Sequence, residues 1–380
     1  MLSNIKIALL KNPGRDPRIA RIVLRRGSVI KSIFFLIIIS CCSLFSINCS
    51  SKLDPDPLQL SVKQNLAMLQ TDPQFVMYFN FKKMRETDFW GKFINDSLMS
   101  AERSFGNFLS VLKKATGASI TNGIDELYFS NSWIGDNAMV VKGTFDRKKV
   151  EDYIRSDTLY TVQNYPPNIL VYKQKEANLY FFFKDDFTVC ASNYQKIIEG
   201  NLNVTDTSTT GLLSNPDAMK IIESIKYKEN LWMMSNQKLF IRGIFENFAD
   251  MNKPGKKNQP TDAGKDSVIQ QDTTTSKDEL GLAAIYRKIN AVSFSIKMTD
   301  NLNIFMQNEC DDNKSATDLK NQLEAVIALA KLSSSFSKKK PGALIQALDK
   351  MEMNVYDKTA IMQIKLNEND VTEIRKQKVF

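Results

Sequence analysis

The sequence predicts an α+β fold of two similar modules, each an antiparallel sheet packed against helices, behind an N-terminal signal segment. Three observations predict it. Runs rich in aromatic and β-branched residues alternate in a two-residue period and are joined by short turns. Between them lie stretches whose apolar residues recur at spacings of three, four and seven, the signature of amphipathic helices. The order strand, helix, hairpin, helix, hairpin, helix occurs twice, which points to an internal repeat of pattern rather than of residue identity.

The chain divides by these patterns into residues 1–48 as signal, 49–70 as a polar tether, 71–205 as the first module and 206–380 as the second. In the head, Arg18, Arg21, Arg25, Arg26 and Lys31 precede an apolar run from Ile33 to Ile39 that resumes at Leu44, Phe45 and Ile47. The unbroken apolar part falls short of the ~20 residues that span a bilayer, as in a secretory signal. "CSSKLDPDP" follows, a cysteine running into small, polar and proline residues, as in a bacterial lipoprotein signal. There the cysteine receives a diacylglycerol and becomes the mature N-terminus. Cys49 is the expected lipidation site. Cys41, preceded by Ile38, Ile39 and Ser40, fits the residue preferences better but strands Leu44, Phe45 and Ile47 in the tether. The alternative is an uncleaved signal-anchor helix. Either way the expected partner is a membrane, and the expected location is the bacterial cell envelope, facing periplasm or cell surface.

In the first module, "DPQFVMYFNF" reads as a strand, and Asp88 to Ala115 as one amphipathic helix or two in series. "IDELYFS" and "NAMVVKGTF" form a hairpin around Gly135-Asp136, and Asp146 caps a helix through Arg155. "NILVYKQ", "ANLYFFFK" and "FTVCAS" are strands, and Asn193 to Glu199 is the closing helix. In the second module, "ENLWMMSN" is a strand and "QKLFIRGIFENF" a helix. Asn290 to Glu309 is a hairpin turning at Asp300-Asn301, with Val292, Phe294 and Ile296 on the buried face. Ser315 with Asp318 resembles a capping box for a helix to about Leu332. "MEMNVY" and "AIMQIKL" make the last hairpin, and Asn369 to Lys376 the last helix. Residues 252–279 carry few apolar side chains and are expected to be a disordered insertion.

Composition excludes several chemistries. The chain has no histidine, which removes histidine-based triads and His-ligated zinc. Of 51 Lys/Arg and 42 Asp/Glu, the first 48 residues hold eight and one, which leaves 43 against 41. The net charge of +9 is therefore mostly a head, and nucleic acid is not an expected partner. No phosphate loop, dinucleotide fingerprint or nucleophile elbow occurs, and no cofactor is expected. Asp185-Asp186 and Asp311-Asp312 read as turn acids. "DDNKSATD" lacks the ligand alternation of a calcium loop, and "DPDP" at 54–57 reads as a stiff spacer. Ser110-x-x-Lys113 matches a hydrolase motif whose partner motifs are missing. Cys190 and Cys310 sit in strand-like runs, and nothing in the sequence supports pairing them.

The signal with Cys49, "GTFDRKKVEDYI", and the hairpin-then-helix pattern of "SFSIKMTDNLNIFMQNECDD…LKNQLEAVIALAKL" together resemble bacterial envelope lipoproteins of uncharacterised function built from duplicated α+β modules. The resemblance implies the fold and the envelope setting and brings no activity with it. The expected function is a lipid-anchored, non-enzymatic binding or structural role. A carrier or chaperone for lipid or other apolar cargo is the alternative, and an envelope hydrolase the third reading.

Overall fold

A computed structural model describes residues 55–94, 107–251, 286–336 and 342–376. Its strands are β1 (Phe75–Asn80), β2 (Ile124–Asn131), β3 (Asn137–Gly143), β4 (Tyr160–Tyr165), β5 (Ile169–Gln174), β6 (Leu179–Phe183), β7 (Thr188–Ser192), β8 (Leu231–Ser235), β9 (Ile289–Met298), β10 (Leu302–Cys310), β11 (Glu352–Tyr356) and β12 (Thr359–Leu366). They form one mixed-order sheet, β11-β12-β10-β9-β8-β1-β2-β3-β7-β6-β5-β4, in which every pairing is antiparallel.

The helices are α1 (Leu60–Leu66), α2 (Phe81–Arg85), α3 (Asn107–Thr116), α4 (Arg147–Ser156), α5 (Gln195–Leu202), α6 (Pro216–Ser224), α7 (Lys238–Met251), α8 (Asn313–Phe336), α9 (Ala343–Leu348) and α10 (Glu368–Lys376). Phe108, Leu109 and Leu112 of α3 and Val150 and Ile154 of α4 pack on one face of the first seven strands, against Leu127, Val141 and Phe181. The other face carries Tyr78, Val140 and Phe182 under Leu66 of α1, Ile198 of α5 and Ile222 of α6. Strand alternation explains this double burial: neighbouring residues such as Phe181 and Phe182 point to opposite faces and both find cover.

The last four strands are covered differently. On the face that continues the α3 side, Val292 and Met362 lie under Ile241 and Phe245 of α7 and Leu319 and Leu323 of α8. Ala343 and Ala347 of α9 and Ile374 of α10 pack there with Ile304 and Ile364. Beyond the end of α6, no described helix packs on the opposite face of β9–β12.

The two expected sheets are one. β1 and β8 pair along Val76–Met234, Met77–Met233, Tyr78–Trp232 and Phe79–Leu231, and the described residues belong to a single compact unit. Both strands are apolar on both faces, so a free edge at either would present an aggregation-prone surface, and mutual pairing removes it. The expected polar tether of 49–70 ends early. Leu58, Leu66, Met68 and Leu69 are buried at the end and flanks of the short α1 segment, while Leu60 faces out. The strand β4 escapes the sequence reading because Thr161 to Asn164 are exposed at the sheet edge and show no buried alternation. The α8 cap is Asp312, whose Oδ1 accepts from the Ser315 N–H at 2.7 Å, one turn ahead of the expected Ser315–Asp318 box. Within Asp88 to Ala115 the chain makes a π-helical turn, Trp90–Ile94, and α3, with 95–106 outside the described residues. The helices α6 and α9 were not anticipated. The expected insertion at 252–279 also lies outside the described residues. Asp146 caps α4 as expected, accepting from the Lys149 N–H at 3.1 Å. Gly135 turns the β2–β3 hairpin at φ +84°, a left-handed value that favours glycine.

Trp232 is fully buried at the junction and stacks on Tyr78 with centroids 5.7 Å apart. A Trp232→Ala variant is expected to lose about 3–5 kcal/mol. Urea unfolding followed by circular dichroism should show one transition moved to lower denaturant. Two separated transitions would mean that the halves fold independently.

Candidate functional site

On the face of β9–β12 opposite α7 and α8 lies a trough of about 700 Å³. Its floor follows from register. Lys297 of β9 pairs across to Asn303 of β10, which pairs with Lys365 of β12. The next row runs Ser295, Phe305, Gln363 and Glu352. Residues two apart on a strand share a face, so both rows line the same side. Lys226 and Glu229, from the loop that leads into β8, form one wall, and Lys350 stands before β11.

Four lysines and two glutamates therefore line the trough. Lys350 is engaged, its Nζ 2.5 Å from Asp370 Oδ1. The Lys226 ammonium lies 4.7 Å from the centroid of the Phe305 ring, a cation–π contact. Lys297 and Lys365 are exposed, and among the described residues neither forms an ion pair. Gln307, one row further, donates to the Ser224 carbonyl at 2.7 Å and closes the trough against the end of α6. Ser295 is 1% exposed, and its Oγ has no hydrogen-bond partner. A buried hydroxyl without a partner costs ~1–3 kcal/mol, so its presence on the floor calls for an explanation.

A second, smaller pocket of about 140 Å³ lies on the covered face among Met233, Phe245, Leu323, Met306 and Met362. That is about the size of the engineered cavity that holds one benzene ring, and well below the roughly 300–1,000 Å³ of pockets for drug-sized ligands. It has no room for the chains of a phospholipid.

The structure separates the other residues singled out in the sequence. Cys49 and Cys41 lie outside the described residues. Asp185 and Asp186 sit in the β6–β7 turn, where Asp185 Oδ1 accepts from the Phe187 N–H, and Asp312 is spent on its helix cap. Asp56 pairs with Lys228 at 2.5 Å. Ser110 and Lys113 are exposed on α3, and no described group of three acids or cysteines is placed to hold a metal. The aromatic runs of β1 and β6 fill the cores on both faces. No described helix is long and apolar enough to cross a membrane.

None of the trough residues was singled out in advance. The signal was present in two strands of the same phase, "SFSIK" and "QIK", each placing polar residues two apart and ending in a lysine. Of the expected inward set Val292 is buried but Phe294 and Ile296 are only half-buried, whereas Ser293 and Ser295 on the opposite face are buried.

No protein-family model matches this chain, and no curated protein matches it. Among solved structures it is similar to three crystal forms of TP0453. Form I aligns with a TM-score of 0.45 and 9% identity over 82% of this chain and 96% of that chain. Form III gives 0.42 and 10% over 82% and 98%, and form IV gives 0.39 and 9% over 85% and 97%. Likenesses this loose carry no functional argument.

Cys190 and Cys310 are both free and buried. Burial pushes each thiol up from 9.0 to about 12. Native protein at pH 8.5 is therefore expected to resist iodoacetamide and to take two further labels at these positions on denaturation, read by peptide mass. The same shift makes stability fall as pH rises from about 9 towards 12, because the unfolded thiols ionise first and the folded ones stay neutral. Rapid labelling of the native protein at either position would contradict this burial.

Proposed function

We propose that this chain is a bacterial envelope lipoprotein, anchored through a diacylated Cys49 or, failing that, Cys41, which acts by binding and not by catalysis. The binding surface is the trough face of β9–β12. The observation that carries this reading is the trough itself, a concave surface lined by polar side chains in which, among the described residues, Lys297 and Lys365 form no ion pair. Its wall adjoins Asp56 and Pro57, near the first described residue. The Tyr227 hydroxyl donates to the Pro57 carbonyl at 2.8 Å, and Asp56 pairs with Lys228, each within two residues of Lys226. A diacyl anchor supplies stable attachment, since each buried methylene contributes ~0.8 kcal/mol and two chains suffice.

Duplication is part of the same reading. Outward from the β1–β8 junction the strand orders are β1-β2-β3-β7-β6 and β8-β9-β10-β12-β11, with β5 and β4 an additional hairpin beyond the first. This matched order supports two modules fused through their first strands. The cargo-carrier alternative is disfavoured by the small volume of the apolar pocket.

The anchor is tested by peptide mass from the membrane fraction of the native host, with a Cys49→Ser variant beside it. The expected N-terminal peptide begins at Cys49 with added acyl mass, and the variant loses that mass. Acylation that survives in Cys49→Ser and disappears in Cys41→Ser moves the anchor. A peptide retaining Lys31 means a signal-anchor helix, and a soluble protein cleaved elsewhere overturns the envelope-lipoprotein reading.

A further inference from the structure

We infer that the trough is a site for a phosphate monoester, held between Lys297 and Lys365 over Asn303 with Ser295 as a donor from the floor. The inference rests on the reading of this face as the binding surface and goes further by naming the ligand's chemistry. Lys297 and Lys365 occupy equivalent positions two strands apart, a separation of roughly 9–10 Å between backbones, within reach of one small group by two lysine side chains. Two ammonium groups flanking one asparagine with no carboxylate partner repel each other until an anion sits between them. Lys226 adds a third ammonium from the wall, and the amides of Asn303 and Gln363 add neutral donors.

Charge favours a dianion over a single carboxylate, because three lysines other than the paired Lys350 line one trough. Size is limited by Glu229 and Glu352, whose carboxylates line the same trough and would repel a long polyanion extending past the lysines. A compact phosphate on a small polar body fits those limits, and a nucleic acid strand does not.

Ser295 is the independent observation. Its Oγ is buried on the trough floor, without a partner, directly across from Phe305. Lys226 lies over that ring, its ammonium 4.7 Å from the centroid. When the ammonium leaves the ring for a ligand phosphate, the floor opens and the hydroxyl gains an acceptor. Two sources of the same chemistry exist, a soluble sugar or polyol phosphate and a lipid phosphate headgroup.

The test uses the detergent-solubilised full chain, titrated with glycerol 3-phosphate and, separately, with glycerol at constant ionic strength. Melting temperature and retention of labelled ligand are the readouts. The expected result is a saturable rise with glycerol 3-phosphate and none with glycerol. A Lys297→Gln/Lys365→Gln variant, altered at two exposed positions, should bind about tenfold or more weakly. Ser295→Ala should bind more weakly while its ligand-free melting temperature rises, because an unpaired buried hydroxyl is removed. Binding of phosphatidate vesicles, over phosphatidylcholine vesicles, without a response to the soluble ester assigns the lipid headgroup; the converse assigns a free ester. Saturable binding of glycerol itself would keep the surface and overturn the anion. Phosphate binding unchanged in the double variant, or no binding in either arm, would overturn the site, and neither result bears on the acyl anchor.

Discussion

The arrangement of this protein depends on the antiparallel pairing of β1 with β8. Tyr78 packs between Tyr128 and Trp232, with ring centroids 4.6 and 5.7 Å away, and Val76 and Met234 share the same buried face. The polar groups at both ends of the junction are satisfied. Asn80 N–H donates to the Asn230 carbonyl at 2.7 Å, and Asn230 Oδ1 accepts from the Met298 N–H at 2.8 Å. At the other end Ser235 Oγ donates to the Gln74 carbonyl at 2.6 Å. Dispersion and hydrogen bonding therefore reinforce each other along one line, and strands laid down far apart in sequence become neighbours in a single sheet.

That junction fixes which face each later helix covers. In the first half, the helix after the last strand, α5, sends Ile198 into the core on the second face. In the second half, the corresponding helix α10 sends Ile374 to the first face, against Leu366 and Val371. The helix α6 packs over the first seven strands, and its terminal Ser224 carbonyl accepts from Gln307 of β10 at 2.7 Å. α5 and α10 therefore lie on opposite faces of the sheet, and the trough lies on the face away from α10.

How much of this was legible depended on whether a signal was local. Most strands and the α4 cap follow from alternation and from one aspartate, because these depend on neighbours a few residues away. The sheet's continuity was not legible, since "FVMYFN" and "LWMMS" say that both faces are buried but not against whom each edge pairs. The segment at 58–69 was hidden by its proximity to the proline-rich "DPDP", although Leu58, Leu66 and Leu69 proved to be core. The candidate site was the least legible. Ser295, Asn303 and Lys365 lie on three different strands and meet only through register, which no single stretch encodes.

The rim of the trough is polar and exposed at Lys297 and Lys365, while Phe305, Gln307 and Ile361 on the same face are buried. Lys297 and Lys365 would keep such a face solvated and would discourage edge or face association, as Thr161, Gln163 and Asn164 do at the β4 edge. Solvation does not account for Ser295. A serine selected only for solubility would reach water or find a carbonyl, whereas this hydroxyl does neither, beside a phenylalanine covered by a lysine. An alanine there would remove the unsatisfied group without exposing apolar surface, so the serine lowers stability in the empty protein. Keeping a destabilising polar group on the floor, two residues from an unpaired lysine on the same strand face, is the pattern of a surface preorganised for an occupant.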